Sequence, residues 1–196
     1  MRLCATLFSP YDAKGGFFMQ LNNKSVLKNA RALALCAMLT AMSVIIGIAC
    51  KTFFNFGRGL FRITFENLPI IISGLSFGPL VGGLVGFATD IISYFLSPQV
   101  LPPNPVVTLG AILIGVSSGI MGKLITKRSG RTRIVISTIF SHLVGSVIIK
   151  SIGLFQFYGM AVFVRIPLYI VISSVEALLI CLLYKNSKIR SLIDRR

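Results

Sequence analysis

Long runs of apolar residues decide what this 196-residue chain can fold into. They cover residues 32–50, 63–77, 78–96, 106–126, 134–155 and 160–184, and most approach the twenty or so residues that cross a bilayer. In lipid, only helices or closed barrels satisfy their backbone polar groups. No period-two alternation argues for a barrel, so all six runs are expected to be helices. Residues 97–105 hold Pro98, Pro102, Pro103 and Pro105 and read as a loop. Phe77-Gly78-Pro79 reads as a tight turn between the second and third spans. The predicted fold is all-α, a six-transmembrane-helix bundle with both termini cytoplasmic.

Charge patterning supports that topology. Only 13% of residues are charged, against about a quarter in soluble domains. A net charge of +15 in a soluble protein would suggest nucleic acid. Here the basic residues cluster instead beside apolar runs: Lys24, Lys28 and Arg31; Lys123, Lys127, Arg128, Arg131 and Arg133; Lys185, Lys188, Arg190, Arg195 and Arg196. This is the bias expected of cytoplasmic flanks, with added attraction to anionic membrane lipid. A nucleic-acid partner is not expected. The outward side then holds residues 53–62, the proline-rich loop and a connector at 156–159.

Residues 1–23 fit this plan poorly and are read as a disordered or mis-assigned extension ahead of a membrane domain at 24–196. They lack the apolar core and cleavage site of a signal peptide. Lys14-Gly15-Gly16 can be encoded by a stretch resembling a bacterial ribosome-binding site, and Met19 follows closely. Translation from Met19 is therefore expected. Cys4, Cys36, Cys50 and Cys181 show no CxxC pairing, so neither a disulfide framework nor a zinc site is predicted.

Few ionisable groups remain. Lys51, Arg58, Arg62, Lys150 and Arg165 lie on the outward half, and Glu66, Asp90, Glu176 and His142 lie within or near the spans. Ionisable groups at membrane depth are costly and face partners or cavities. Cations outside run against the topology bias. They suggest an outward cavity for an anion, and arginine can grip a carboxylate with two hydrogen bonds. At 3.6 residues per turn, Arg165, Tyr169 and Glu176 share one face; that face lines either a ligand site or an internal ion pair. Gly78, Gly82, Gly86 and Asp90 repeat every four residues, with Tyr94 following, and Gly115 and Gly119 repeat the pattern. Such small residues let helices approach closely. Asp90 is then either a ligand contact or a structural acceptor. Aromatics including Phe65, Phe155 and Tyr158 concentrate outward; they anchor the interface or stack on a flat ring.

Enzymatic motifs are weak. Gly115-Val116-Ser117-Ser118-Gly119 matches a nucleophile pattern that requires a strand-turn-helix setting, which a lipid-phase helix does not provide. Gly122-Lys123 lacks the rest of a phosphate loop, and no metal motif is present. No cofactor is expected.

Arg62-Ile-Thr-Phe-Glu-Asn-Leu-Pro69, then Phe77-Gly-Pro-Leu-Val-Gly-Gly-Leu-Val-Gly86 and Asp90, resemble the S components of energy-coupling factor (ECF) transporters, most closely the folate-specific members. Ala37-Met-Leu-Thr-Ala41 looks like that family's AxxxA motif. The resemblance implies an outward vitamin site and association with a transmembrane coupling protein (T component) and two ATPases. Ala37 and Ala41 would lie against the coupling protein. For folate, aromatics with Arg62, Lys150 and Arg165 would hold the glutamate tail, and Asp90 or Glu176 would accept from the pterin amine. An S component for another anionic vitamin such as pantothenate, a membrane-embedded enzyme using Asp90, Glu176 or His142, and a channel subunit are the competing readings.

Overall fold

The computed structural model describes residues 30–53, 55–56, 61–62, 64–96, 104–125, 130–187, 189 and 193, with side chains at all but 55, 56, 61, 62 and 161. The 1–23 extension and Met19 lie outside these residues, as do Arg58 and most of the proline-rich loop.

Among the described residues the elements are helices apart from one two-residue antiparallel strand pair. Helix α1 (Ala30–Phe53) leads into strands β1 (Asn55–Phe56) and β2 (Phe61–Arg62), paired Asn55 to Arg62 and Phe56 to Phe61. Then come α2 (Asn67–Phe77), α3 (Pro79–Leu96) and α4 (Pro105–Leu124). Helix α5 (Gly130–His142) continues without a break into a π-helical segment, Leu143–Lys150, and α6 (Ser151–Tyr158). A 3₁₀ segment, Gly159–Val164, precedes α7 (Arg165–Tyr184).

Five helical stretches among the described residues are long and apolar enough to cross a bilayer: Ala30–Phe53, Pro79–Leu96, Pro105–Leu124, Gly130–Tyr158 and Val162–Tyr184. The second predicted run, 63–77, differs. Its helix is only 11 residues long, and every one of them is buried. Apolarity there serves the protein core, because α2 packs against α1, α3 and α4.

Side-chain polarity is inverted relative to a soluble protein. Leu33, Met38, Ile45, Leu124 and Ile170 are exposed, while Ser43, Ser73, Ser118, Ser137, Ser141 and Ser146 are fully buried. In lipid the exterior needs no polar groups, and interior hydroxyls find local carbonyls: Ser118 Oγ donates to Gly115 O at 2.9 Å and Ser141 Oγ to Ser137 O at 2.6 Å.

The glycine stripe performs the predicted close packing. A Cβ on Gly115 would overlap the Gly82 carbonyl, and one on Gly86 would overlap the Ala111 carbonyl. The backbones of α3 and α4 are thus in direct contact. Gly78, at φ 112°, makes the sharp turn before Pro79 that the sequence predicts. Asn104 caps α4, its side chain accepting from Val106 N–H at 3.0 Å with Pro105 in the first turn. The predicted connector at 156–159 is corrected: the helix runs on through Tyr158, and the chain turns at Gly159, φ 55°.

Candidate functional site

Polar side chains from α2, α5, the π-helical segment and α7 gather inside an otherwise apolar bundle. Helix α7 supplies the largest share. Its buried residues Arg165, Tyr169, Ile172, Ser173, Glu176 and Ile180 recur at helical spacing, so the predicted Arg165–Tyr169–Glu176 face points inward rather than at lipid. The Arg165 guanidinium lies over the Tyr169 ring, 5.5 Å from its centroid, a distance suited to cation–π attraction. Arg165 is 5% exposed and its Nε has no hydrogen-bond partner among the described residues. A buried donor left unmade costs about 1–3 kcal/mol, and a bound anion would remove that cost.

Deeper along α7, Glu176 is fully buried. Its Oε2 lies 2.5 Å from His142 Nε2, and His142 Nδ1 lies 3.2 Å from Ser146 Oγ. The imidazole therefore bridges α7 to the π-helical segment through hydrogen bonds at both ring nitrogens. Oε1 of Glu176 has no partner among the described residues.

A second pair lies beside this one. Lys150 Nζ donates to Asn67 Oδ1 at 3.5 Å and sits 3.8 Å from Glu66 Oε1. All three residues are buried. The Lys150 stem runs over Gly110, where a Cβ would press on its Cγ. Glu66 is held from the other side, its carbonyl accepting from the Ser43 hydroxyl. Lys150 and Glu66 lie close enough to Glu176 to influence it, so the two pairs belong to one buried polar cluster.

The remaining predicted residues separate. Asp90 Oδ2 accepts from Thr108 Oγ1 at 2.7 Å, fastening α3 to α4. Tyr94 stacks edge-on against Phe95, centroids 5.7 Å apart. Phe65, just ahead of α2, and Tyr158, at the end of α6, are half-buried. Arg62 sits in β2 opposite Asn55, and its side chain lies outside the described set. Lys51 Nζ donates to Ser93 O at 3.3 Å, tying α1 to α3. Ala37 and Ala41 are exposed on α1, and Ala37 lines a groove of about 210 Å³ with Leu33, Cys36, Thr40, Val81, Leu84 and Val85. Ser117 of the nucleophile-like motif bonds back to its own helix, to Leu113 O at 2.5 Å. No group of three or more metal-ligating side chains occurs among the described residues.

Sequence reasoning quoted Glu66 and Asn67 only as part of a motif and the ionisable set, and gave His142 a role only in the competing enzyme reading. The available signal was their rarity: His142 is the chain's one histidine, and Glu66 is one of five acids.

The family model for the substrate-specific component of ECF transporters matches residues 31–192. A stretch of 94 residues is 34% identical to the uncharacterized protein MG098 homolog of Mycoplasma pneumoniae, covering 48% of this chain and 19% of that protein. A stretch of 59 residues is 30% identical to the folate transporter FolT of Clostridium novyi, covering 30% of this chain and 34% of that one. The chain thus spans only a fifth to a third of the length of these two relatives. Its fold is similar to the crystal structure of FolT bound with folic acid, with a TM-score of 0.57 at 22% identity, covering 77% of this chain and 88% of that one. The apolar-faced helical bundle and the match across 31–192 lead to one conclusion: this chain belongs to the substrate-specific components of ECF transporters, membrane proteins of transport rather than enzymes.

Proposed function

We propose that this chain captures folate at the outer face of a bacterial cell membrane. It then delivers folate inward together with a T component and two ATPase subunits. In this reading α2 is the short sixth membrane segment and both termini are cytoplasmic. The observation that carries the proposal is the buried Arg165 guanidinium with an unpartnered Nε, on the same α7 face as Tyr169 and Glu176. Folate supplies a complement to each: carboxylates for the cation, a flat ring system for the aromatic, amine donors for the acid. The relatives named for folate support the choice of vitamin. Ala37 and Ala41, exposed beside an apolar groove, would meet the coupling protein.

Mass spectrometry of small molecules that copurify with the protein, followed by binding to a vitamin panel, tests the reading. Folate is expected to copurify and to bind in preference to pantothenate. Unchanged folate affinity in both Arg165→Ala and Arg62→Ala would sink the carboxylate clamp.

A further inference from the structure

Two candidate acids for reading a ligand's donors lie in the spans, and the structure separates them. Asp90 is engaged by the Thr108 hydroxyl. Glu176 keeps Oε1 unpartnered while fully buried. A carboxylate oxygen in this position is expensive unless a donor reaches it. Its other oxygen is fixed by His142, and His142 is fixed in turn by Ser146, itself fully buried. Because Ser146 sits four residues after His142 within the π-helical turn, its hydroxyl serves Nδ1 whether that nitrogen accepts or donates. The ring orientation is thereby held, and with it the carboxylate plane.

We infer that Glu176 Oε1 is the acceptor that selects a ligand presenting an N–H donor edge, and that His142, backed by Ser146, is the positioning residue that aims it. This inference rests on the folate reading and narrows it to the 2-amino edge of the pterin. Spacing along α7 is consistent with that assignment. Arg165 and Glu176 are eleven positions apart on one face, about 16 Å at 1.5 Å per residue. A ligand lying along the helix would place anionic groups at one end and amine donors at the other. Lys150 and Glu66, the other charged groups acting on Glu176, form a pair of their own and leave Oε1 to the ligand.

The test measures equilibrium binding of folate and of a folate analogue with methyl in place of the 2-amino group. The proteins are the purified wild type, Glu176→Gln, His142→Leu and His142→Gln. The wild type is expected to prefer folate by on the order of ten- to a hundredfold, the cost of leaving a buried acceptor without its donor. Glu176→Gln and His142→Leu should lose most of that preference. His142→Gln, whose amide can still donate to the carboxylate, should recover part of it. A merely structural role for His142 would lower affinity for both ligands alike and leave their ratio at the wild-type value. That result overturns the inference, as does a Glu176→Gln protein with undiminished discrimination. The analogue arm on the wild type needs no mutant to fold, and equal binding of the two ligands there also overturns it. Failure of the wild type to bind folate at all overturns the folate reading and takes this inference with it, whereas unaltered discrimination in the variants overturns this inference alone.

Discussion

Thr108 Oγ1 donates to Asp90 Oδ2 at 2.7 Å, joining α4 to α3 four residues beyond the last glycine of the stripe. Asp90→Ala is expected to lower the thermal midpoint in detergent, with a cost of about 0.6–2 kcal/mol. Asp90→Asn, which keeps an acceptor, should cost less. Folate affinity should change by less than about threefold in both, since one hydrogen bond to ligand is worth more than that. A large affinity loss with an unaltered melt would return Asp90 to the ligand site.

Where α3 and α4 touch by backbone, no side chain fits. Gly115→Val should cost at least about 1–3 kcal/mol from overpacking, because even its Cβ meets the Gly82 carbonyl. Size-exclusion chromatography should show aggregation or loss of the monodisperse peak. Ile120→Ala on the same helix, at an exposed position, should leave the profile intact.

Lys150 and Glu66 are buried on separate elements. Removing one member of such a pair typically costs about 3–5 kcal/mol, since the other charge stays buried. Lys150→Met is therefore expected to destabilise strongly, and the double variant Lys150→Met/Glu66→Gln to regain much of the loss. Thermal melts of the single and double variants form the cycle that decides it. Additive losses would mean the two side chains are not energetically coupled.

Arg165→Lys separates charge from geometry. A lysine keeps the cation but not the planar fork, so folate affinity should fall by on the order of tenfold, against up to a hundredfold for Arg165→Ala. Isothermal titration of both variants checks the order. Equal losses would mean that only the charge matters.

Ala37→Trp and Ala41→Trp place bulk on the α1 surface beside the apolar groove, away from the buried polar network. Cells carrying either variant should lose folate uptake, while the purified subunit keeps wild-type folate binding. Retained uptake would move the coupling-protein contact elsewhere.

Much of this was legible from residue patterns alone. Polar groups are scarce in apolar helices, so the spacing of Arg165, Tyr169 and Glu176 was enough to place them on one buried face. The glycine stripe told where helices meet for a similar reason: a missing side chain at a fixed interval has few other uses in lipid. Pairings across the sequence were not readable. His142 and Glu176 are 34 residues apart, and Lys150 and Asn67 are 83 apart, so no periodicity links them. The shortness of the helix in the run at 63–77 and its complete burial among its neighbours were not readable, because hydropathy does not distinguish an apolar residue facing lipid from one facing protein. The π-helical stretch at Leu143–Lys150 left no visible mark, since its composition matches an ordinary α-helix.

The glycine contacts between α3 and α4 carry a mechanical consequence. Two rods seated main chain against main chain have no rotamers between them to reshuffle, so they cannot slide without breaking van der Waals contact along the whole seam. Spin labels placed across that seam should keep one fixed separation with and without vitamin, and whatever rearrangement accompanies capture should be borne by the wider-turned π-helical stretch and α7.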